Sequence, residues 1–116
     1  MKIRQLALLG LASISFSPLA FAQDPPDGDA LFQKNCAQCH GAQLQGGNAQ
    51  SMVDGVWQFG EGEGYIVRNT KHGITELGMP AYESTLSDDE IRAVAKFILS
   101  AEKTSGAVKP PPPTEI

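Results

Sequence analysis

Cys36-Ala37-Gln38-Cys39-His40 brings two thiols and an imidazole together within five residues. On a helix, positions i, i+3 and i+4 share one face. Two thiols so placed can add to the two vinyl groups of a single haem, and the adjacent imidazole then reaches the iron from the same side. C-x-x-C-H is the attachment pattern of haem c. Other uses of the pair are poorly supported. A structural zinc site needs four ligands, and the sequence offers no third Cys and only one other His, His72. A thioredoxin-like redox pair would sit in a βαβ pattern, and none surrounds it. A disulfide between residues three apart closes too small a loop to stabilise the chain much.

An iron held by His40 has a sixth position to fill, and Met79 in Gly78-Met79-Pro80-Ala81-Tyr82 is the candidate. A thioether is a soft, neutral ligand, and a Met/His pair raises the reduction potential. Methionine more often fills core gaps. Here, however, Gly78 permits close backbone approach and Pro80 stiffens the loop. Met52 is the other methionine beyond the N-terminal segment, only twelve residues past His40 in a Gln/Ser/Asn-rich stretch. His72 is the rival ligand, and its default role is an exposed titrating side chain. Trp57 could pack on a haem edge and donate its N–H to a propionate, or be plain core. Tyr65 and Tyr82 are open in the same way. Arg68 and Lys71 could balance propionate charge or simply form a solvated helix face.

The elements that position these residues are helices and loops. Asp27 is a helix N-cap candidate, and Gly28 to Cys36 suits a short helix carrying Leu31 and Phe32. Gly41 to Gly60 is predicted to be loop, with at most one helical turn over 49–53 and Val56, Trp57 and Phe59 as apolar anchors. Gly60-Glu61-Gly62-Glu63-Gly64 is not a phosphate-binding loop, because no strand precedes it and its carboxylates repel phosphate. Glu63 to Lys71 reads as a helix with Tyr65, Ile66 and Val67 inside and Gly73 as its stop. Ile74 to Tyr82 is loop. Ser87 and Glu90 form a capping box, and Ile91, Val94, Ala95, Ile98 and Leu99 make the core stripe of a last helix ending near Glu102. Ser105 to Ile116 reads as a tail, with Pro110 to Pro113 favouring an extended arm. The expected fold is all-α, three to four helices around one haem. Gly-rich loops of this length need an apolar partner from outside the chain.

Composition bounds the setting. Lys2 and Arg4, an uncharged apolar stretch from Leu6 to Phe21 and the small residues Ala20 and Ala22 have the three parts of a secretory signal peptide over residues 1–22. A membrane anchor is disfavoured because the run is short and broken by Ser13, Ser15, Ser17 and Pro18. Cleavage after Ala22 leaves seven basic against thirteen acidic residues, a formal charge of −6. That argues against nucleic acid and against anionic membrane surfaces, and suggests a partner that tolerates or prefers an acidic surface.

Over about Asp27 to Glu102 the chain resembles the class I c-type cytochromes. Gly28-x-x-x-Phe32-x-x-x-Cys36-x-x-Cys39-His40-Gly41 is similar to that family's first helix and haem site, Gly78-Met79-Pro80-Ala81 to its axial methionine loop, and Leu86-Ser87-Asp88-Asp89-Glu90-Ile91 through Phe97-Ile98 to its last helix. The middle, with Leu44-x-Gly46-Gly47, Trp57-x-x-Gly60 and Ile66 to Gly73, is similar to cytochrome domains that accompany periplasmic quinoprotein dehydrogenases and to haem domains of certain terminal oxidase subunits. It departs from them at Asn69-Thr70-Lys71-His72-Gly73, where such proteins often carry Asn-Gly-Arg or Asp-Gly-Arg.

The resemblance implies that Gly28 and Phe97 meet where the first and last helices cross. It implies a cytochrome c domain over 23–104 holding one covalent haem c on Cys36 and Cys39, with His40 and Met79 as axial iron ligands. The expected function is a monomeric periplasmic single-electron carrier without enzymatic activity. Its partners would be redox proteins, a dehydrogenase as donor and an oxidase or another cytochrome as acceptor, with no membrane insertion after signal cleavage. An open sixth position would instead make it a haem-based ligand sensor or a small peroxidase.

Overall fold

The computed structural model describes residues 7–107. Lys2, Arg4 and the Pro110 to Pro113 arm lie outside the described residues. Four helices follow in order: α1 (Gly28–Asn35), α2 (Ala37–His40), α3 (Glu63–His72) and α4 (Asp88–Ser105), with a 3₁₀ turn at Thr75–Leu77. Among the described residues there is no β-strand, only an isolated bridge between Ile74 and Met79. The all-α expectation holds.

The helix ends are built by local chemistry. The Asp27 carboxylate accepts from the Ala30 N–H at 3.1 Å and starts α1. In α4 the Ser87 hydroxyl accepts from Glu90 N while the Glu90 carboxylate accepts from Ser87 N, a complete capping box. Gly73 stops α3, as expected. The stretch 49–53, allowed at most one helical turn, forms none. One boundary differs from the sequence reading by more than a residue: α4 runs three residues past Glu102, because the Ser105 hydroxyl donates to Val53 O at 3.1 Å and Gly106 supplies the left-handed cap.

The core forms where α4 crosses α1 and packs on α3. Ile91, Val94, Ala95 and Ile98 of the predicted stripe are buried, and Leu99 is half-buried. Phe32 of α1 is fully buried, its ring centroid 5.5 Å from that of Phe97. A Cβ on Gly28 would collide with the Ala93 carbonyl and crowd Phe97 Cβ, so only glycine permits this approach of the two helices. From α3, Ile66 enters the core and Val67 is half-buried, but Tyr65 is 46% exposed. Its ring lies outside, under the Arg68 guanidinium at 4.8 Å. Leu44, in the long loop, is buried at a backbone φ of 60°. Its apolar burial offsets a strain of about 1 kcal/mol for a left-handed non-glycine residue.

The N-terminal stretch from residue 7 to 27 has no regular secondary structure, and Leu8, Leu9, Leu11, Ile14, Phe16, Leu19 and Phe21 pack on nothing. Among the described residues no helix is long and apolar enough to cross a membrane.

Candidate functional site

Cys36 ends α1 and begins α2. Its N–H donates to Phe32 O at 2.8 Å, and its own carbonyl accepts from Cys39 N and His40 N at 3.2 and 3.0 Å. The helical i to i+4 relation between Cys36 and His40 is therefore intact across the turn. Both sulfurs are free of any disulfide. Burial, and then the charge of the neighbouring Cys39, push the Cys36 thiol up to about 11. A thioredoxin-type nucleophile needs the opposite shift, so the redox-pair reading loses its chemistry as well as its fold.

His40 is oriented by the loop that follows. Its Nδ1 lies 2.9 Å from Gln50 O. A carbonyl oxygen can only accept, so Nδ1 carries the proton and Nε2 keeps a free lone pair, the state a metal-ligating imidazole requires. The Gln50 segment is held in turn by Ala49 N donating to Cys39 O at 2.9 Å and Met52 N donating to Leu44 O at 2.9 Å.

Met79 is held by a second, independent element. Its carbonyl accepts from Ile74 N at 3.0 Å and its N–H donates to Ile74 O at 3.2 Å. The loop then folds back along the end of α3, with Tyr82 N donating to Thr70 O and Glu83 N to Lys71 O. Gly73 is the tight point, at φ +72°. A Cβ there would lie 2.7 Å from Met79 O and Ala81 N.

These residues converge on one cavity of about 440 Å³, within the range of cofactor sites. Cys36, Cys39, His40 and Met79 all line it, with Val94 and Ile98 of α4 as part of the apolar wall. Met52 lines it too, from the segment bonded to the Cys39–His40 side. His72 does not. It is 61% exposed, with Nδ1 3.7 Å from the Glu83 carboxylate. Tyr82 lines the cavity and donates its hydroxyl to Asn35 O at 2.9 Å, an anchor between the methionine loop and α1 that sequence patterning could not assign. Desolvation, followed by the two cysteines, raises its pKa.

Three open residues are resolved away from the cavity wall. Trp57 donates Nε1–H to Glu102 Oε1 at 2.9 Å and packs against the core. Lys71 pairs with Asp88 at 2.8 Å, and Arg68 covers Tyr65.

A covalent haem fits this cavity. Among the described residues no group of three His, Cys, Asp or Glu could hold a metal ion by itself. The donors present are one imidazole and thioether sulfurs, a set that suits an iron bringing its own in-plane ligands.

Residues 23–98 match the family model described as cytochrome c oxidase, cbb3-type, subunit III. The chain is 37% identical over 79 residues to the cbb3-type cytochrome c oxidase subunit FixP of Rhizobium meliloti, covering 63% of this chain and 26% of that protein. It thus spans about a quarter of the length of that oxidase subunit. It is 32% identical over 105 residues to cytochrome c6 of Thermosynechococcus vestitus, covering 85% of this chain and 92% of that protein. The solved structure of cytochrome c6 from the diatom Phaeodactylum tricornutum superposes with a TM-score of 0.58 at 30% identity, over 67% of this chain and 93% of that one. Cavity, heme-type donors, helical fold and similarity agree, and the chain belongs to the cbb3-type subunit III family of cytochrome c domains, a class I c-type fold carrying one covalent haem c.

Proposed function

We propose that this protein is an exported single-electron carrier in which Cys36 and Cys39 hold the haem through thioethers, His40 Nε2 is the proximal ligand and Met79 Sδ the distal one. The observation that carries the reading is the convergence of all four residues on one cavity, with His40 held in the tautomer that leaves Nε2 free. When bound, haem c supplies a one-electron Fe(III)/Fe(II) couple.

The chain's own residues do the rest. Gln50 O fixes the plane and proton of His40. The Ile74–Met79 bridge fixes Met79 from both sides of its peptide. Phe32, Val94 and Ile98 close the interior and exclude water. With His40 and Met79 both holding it, the iron would have no open position for substrate, which favours outer-sphere transfer over ligand sensing or peroxidase chemistry. Met52 is the weaker candidate for the second iron ligand, because its segment is tied to the Cys39–His40 segment through Ala49 N and Cys39 O, whereas Met79 comes from an independent loop.

The signal peptide over residues 1–22 and a periplasmic location belong to this reading. Support comes from the residue pattern and from the exposed apolar side chains of residues 8–21. A periplasmic dehydrogenase is the donor we infer, passing electrons towards a respiratory acceptor. The oxidase-subunit relatives favour an acceptor of that class.

The test is an optical spectrum of the exported protein, ferric, then dithionite-reduced, then with CO. Low-spin reduced bands, a weak ferric methionine-to-iron charge-transfer band and no CO response are expected. Low-spin iron without that band would remove Met79, and a high-spin spectrum with rapid CO binding would overturn the carrier reading.

A further inference from the structure

The break between α1 and α2 leaves a backbone oxygen without its helical partner. In a continuous helix the Cys39 N–H would donate to Asn35 O, but it bonds instead to Cys36 O at 3.2 Å. The Asn35 side chain turns back and donates to Leu31 O at 2.9 Å. The Tyr82 hydroxyl supplies the missing donor, 2.9 Å from Asn35 O. Burial, the first cause of its raised pKa, keeps the phenol protonated and a donor well above neutral pH.

This bond has no parallel in the methionine loop. The other hydrogen bonds of residues 74–86 stay within the loop or reach the end of α3, as from Tyr82 N to Thr70 O and from Glu83 N to Lys71 O. His40 belongs to a separate set, tied to Gln50 O and through Ala49 N to Cys39 O. Among the described residues, the Tyr82–Asn35 bond is the one hydrogen bond between residues 35–53, which carry His40, and residues 63–86, which carry Met79.

We propose that the Tyr82 hydroxyl is the positioning group that holds Met79 on the iron, and that this single bond keeps the sixth position closed to small ligands. The inference rests on the His40/Met79 reading. Two axial ligands from different segments stay bound together only while those segments keep their separation. The Ile74 bridge fixes Met79 to the chain leaving α3 and does not reach the attachment segment. The Tyr82 hydroxyl, three residues from Met79, does. With the loop closed, a phenyl ring at position 82 would leave Asn35 O without a donor. With the loop swung out, water would satisfy that oxygen. Loss of the hydroxyl therefore shifts the loop towards the open state by the cost of an unsatisfied acceptor. An external ligand binds only the open fraction, so its apparent affinity rises in proportion to that fraction.

The experiment titrates the haem-loaded ferric protein with imidazole and follows loss of the methionine-to-iron band. Wild type, Tyr82→Phe and Asp27→Ala are compared. Asp27→Ala removes the N-cap at the opposite end of α1 and controls for ordinary destabilisation of that helix. Tyr82→Phe keeps the ring and is expected to bind imidazole about tenfold more tightly than wild type. Asp27→Ala is expected to bind it as wild type does. Equal affinity in Tyr82→Phe and wild type, or the same gain in both variants, overturns the proposal while leaving the ligand assignment standing. A wild-type spectrum without the methionine-to-iron band would instead overturn the His40/Met79 reading, and this role of Tyr82 with it.

Discussion

His40 and Met79 are both minor components of their own segments, yet each is immobilised through its neighbours' backbone. The ring of His40 is set by one carbonyl, Gln50 O. Met79 is set by a pair of backbone hydrogen bonds to Ile74, so its side chain starts from a fixed Cα. The backbone positions that carry both side chains are fixed by hydrogen bonds worth about 1 kcal/mol each. Met79→Ala leaves the backbone bridge intact and removes only the sulfur. The expected result is a lower reduction potential, loss of the methionine-to-iron band and new CO binding to the reduced protein, read by potentiometry and optical spectroscopy. Met52→Ala, by contrast, should leave the band in place. If the two variants exchange these outcomes, the distal assignment moves to Met52.

The methionine loop works as an element because α3 ends abruptly. Gly73 turns the chain at φ +72°, and the backbone of Met79, Pro80 and Ala81 packs back against it, 2.7 Å from where a Cβ would stand. Ala at this position would strain the turn and push the loop outward. Gly73→Ala should cost about 1–3 kcal/mol, measured by urea unfolding of the haem-loaded protein. It should also weaken the methionine-to-iron band, which an ordinary destabilisation elsewhere would leave intact. The α1–α2 junction behaves differently. There Cys36 keeps a negative φ of −118°, and the attachment face survives because the i to i+4 hydrogen bond spans the break.

Across the whole molecule, α4 is the common wall, packing on both α1 and α3. Lys71 of α3 and Asp88 of α4 pin the second contact at 2.8 Å. The hydrogen bond from Lys71, then its charge, holds the Asp88 carboxyl below its ordinary 3.8. A carboxyl depressed in the folded state stabilises the fold fully above its unfolded value and loses that contribution as pH falls through the lowered one. Wild type is therefore expected to exceed Asp88→Asn in stability at pH 7 by a small margin that shrinks in high salt and closes below pH 3.8. Thermal unfolding of both proteins across that range checks it. A gap that persisted in strong acid would assign the effect to something other than this ion pair.

Much of this was legible in the residues because the signals are local. A thiol pair followed by His at helical spacing, a Ser87/Glu90 capping box and an apolar stripe of period 3.6 in α4 each depend on contacts within one or two turns, so spacing alone encodes them. The end of α4 was not legible. Ser105 is kept helical by Val53, 52 residues away. Nor was the fate of Trp57, whose indole N–H finds a carboxylate on α4 rather than facing the cavity. Tyr65 was expected inside and lies outside, since a single apolar-looking run does not say which face of α3 meets α4. Only the tertiary structure brings Gln50 O onto His40, removes His72 from the cavity wall and sets the Tyr82 hydroxyl on Asn35 O, because each of these depends on where separate segments cross. The sequence alone determined which groups can bind a haem, and packing decided which of them share a cavity.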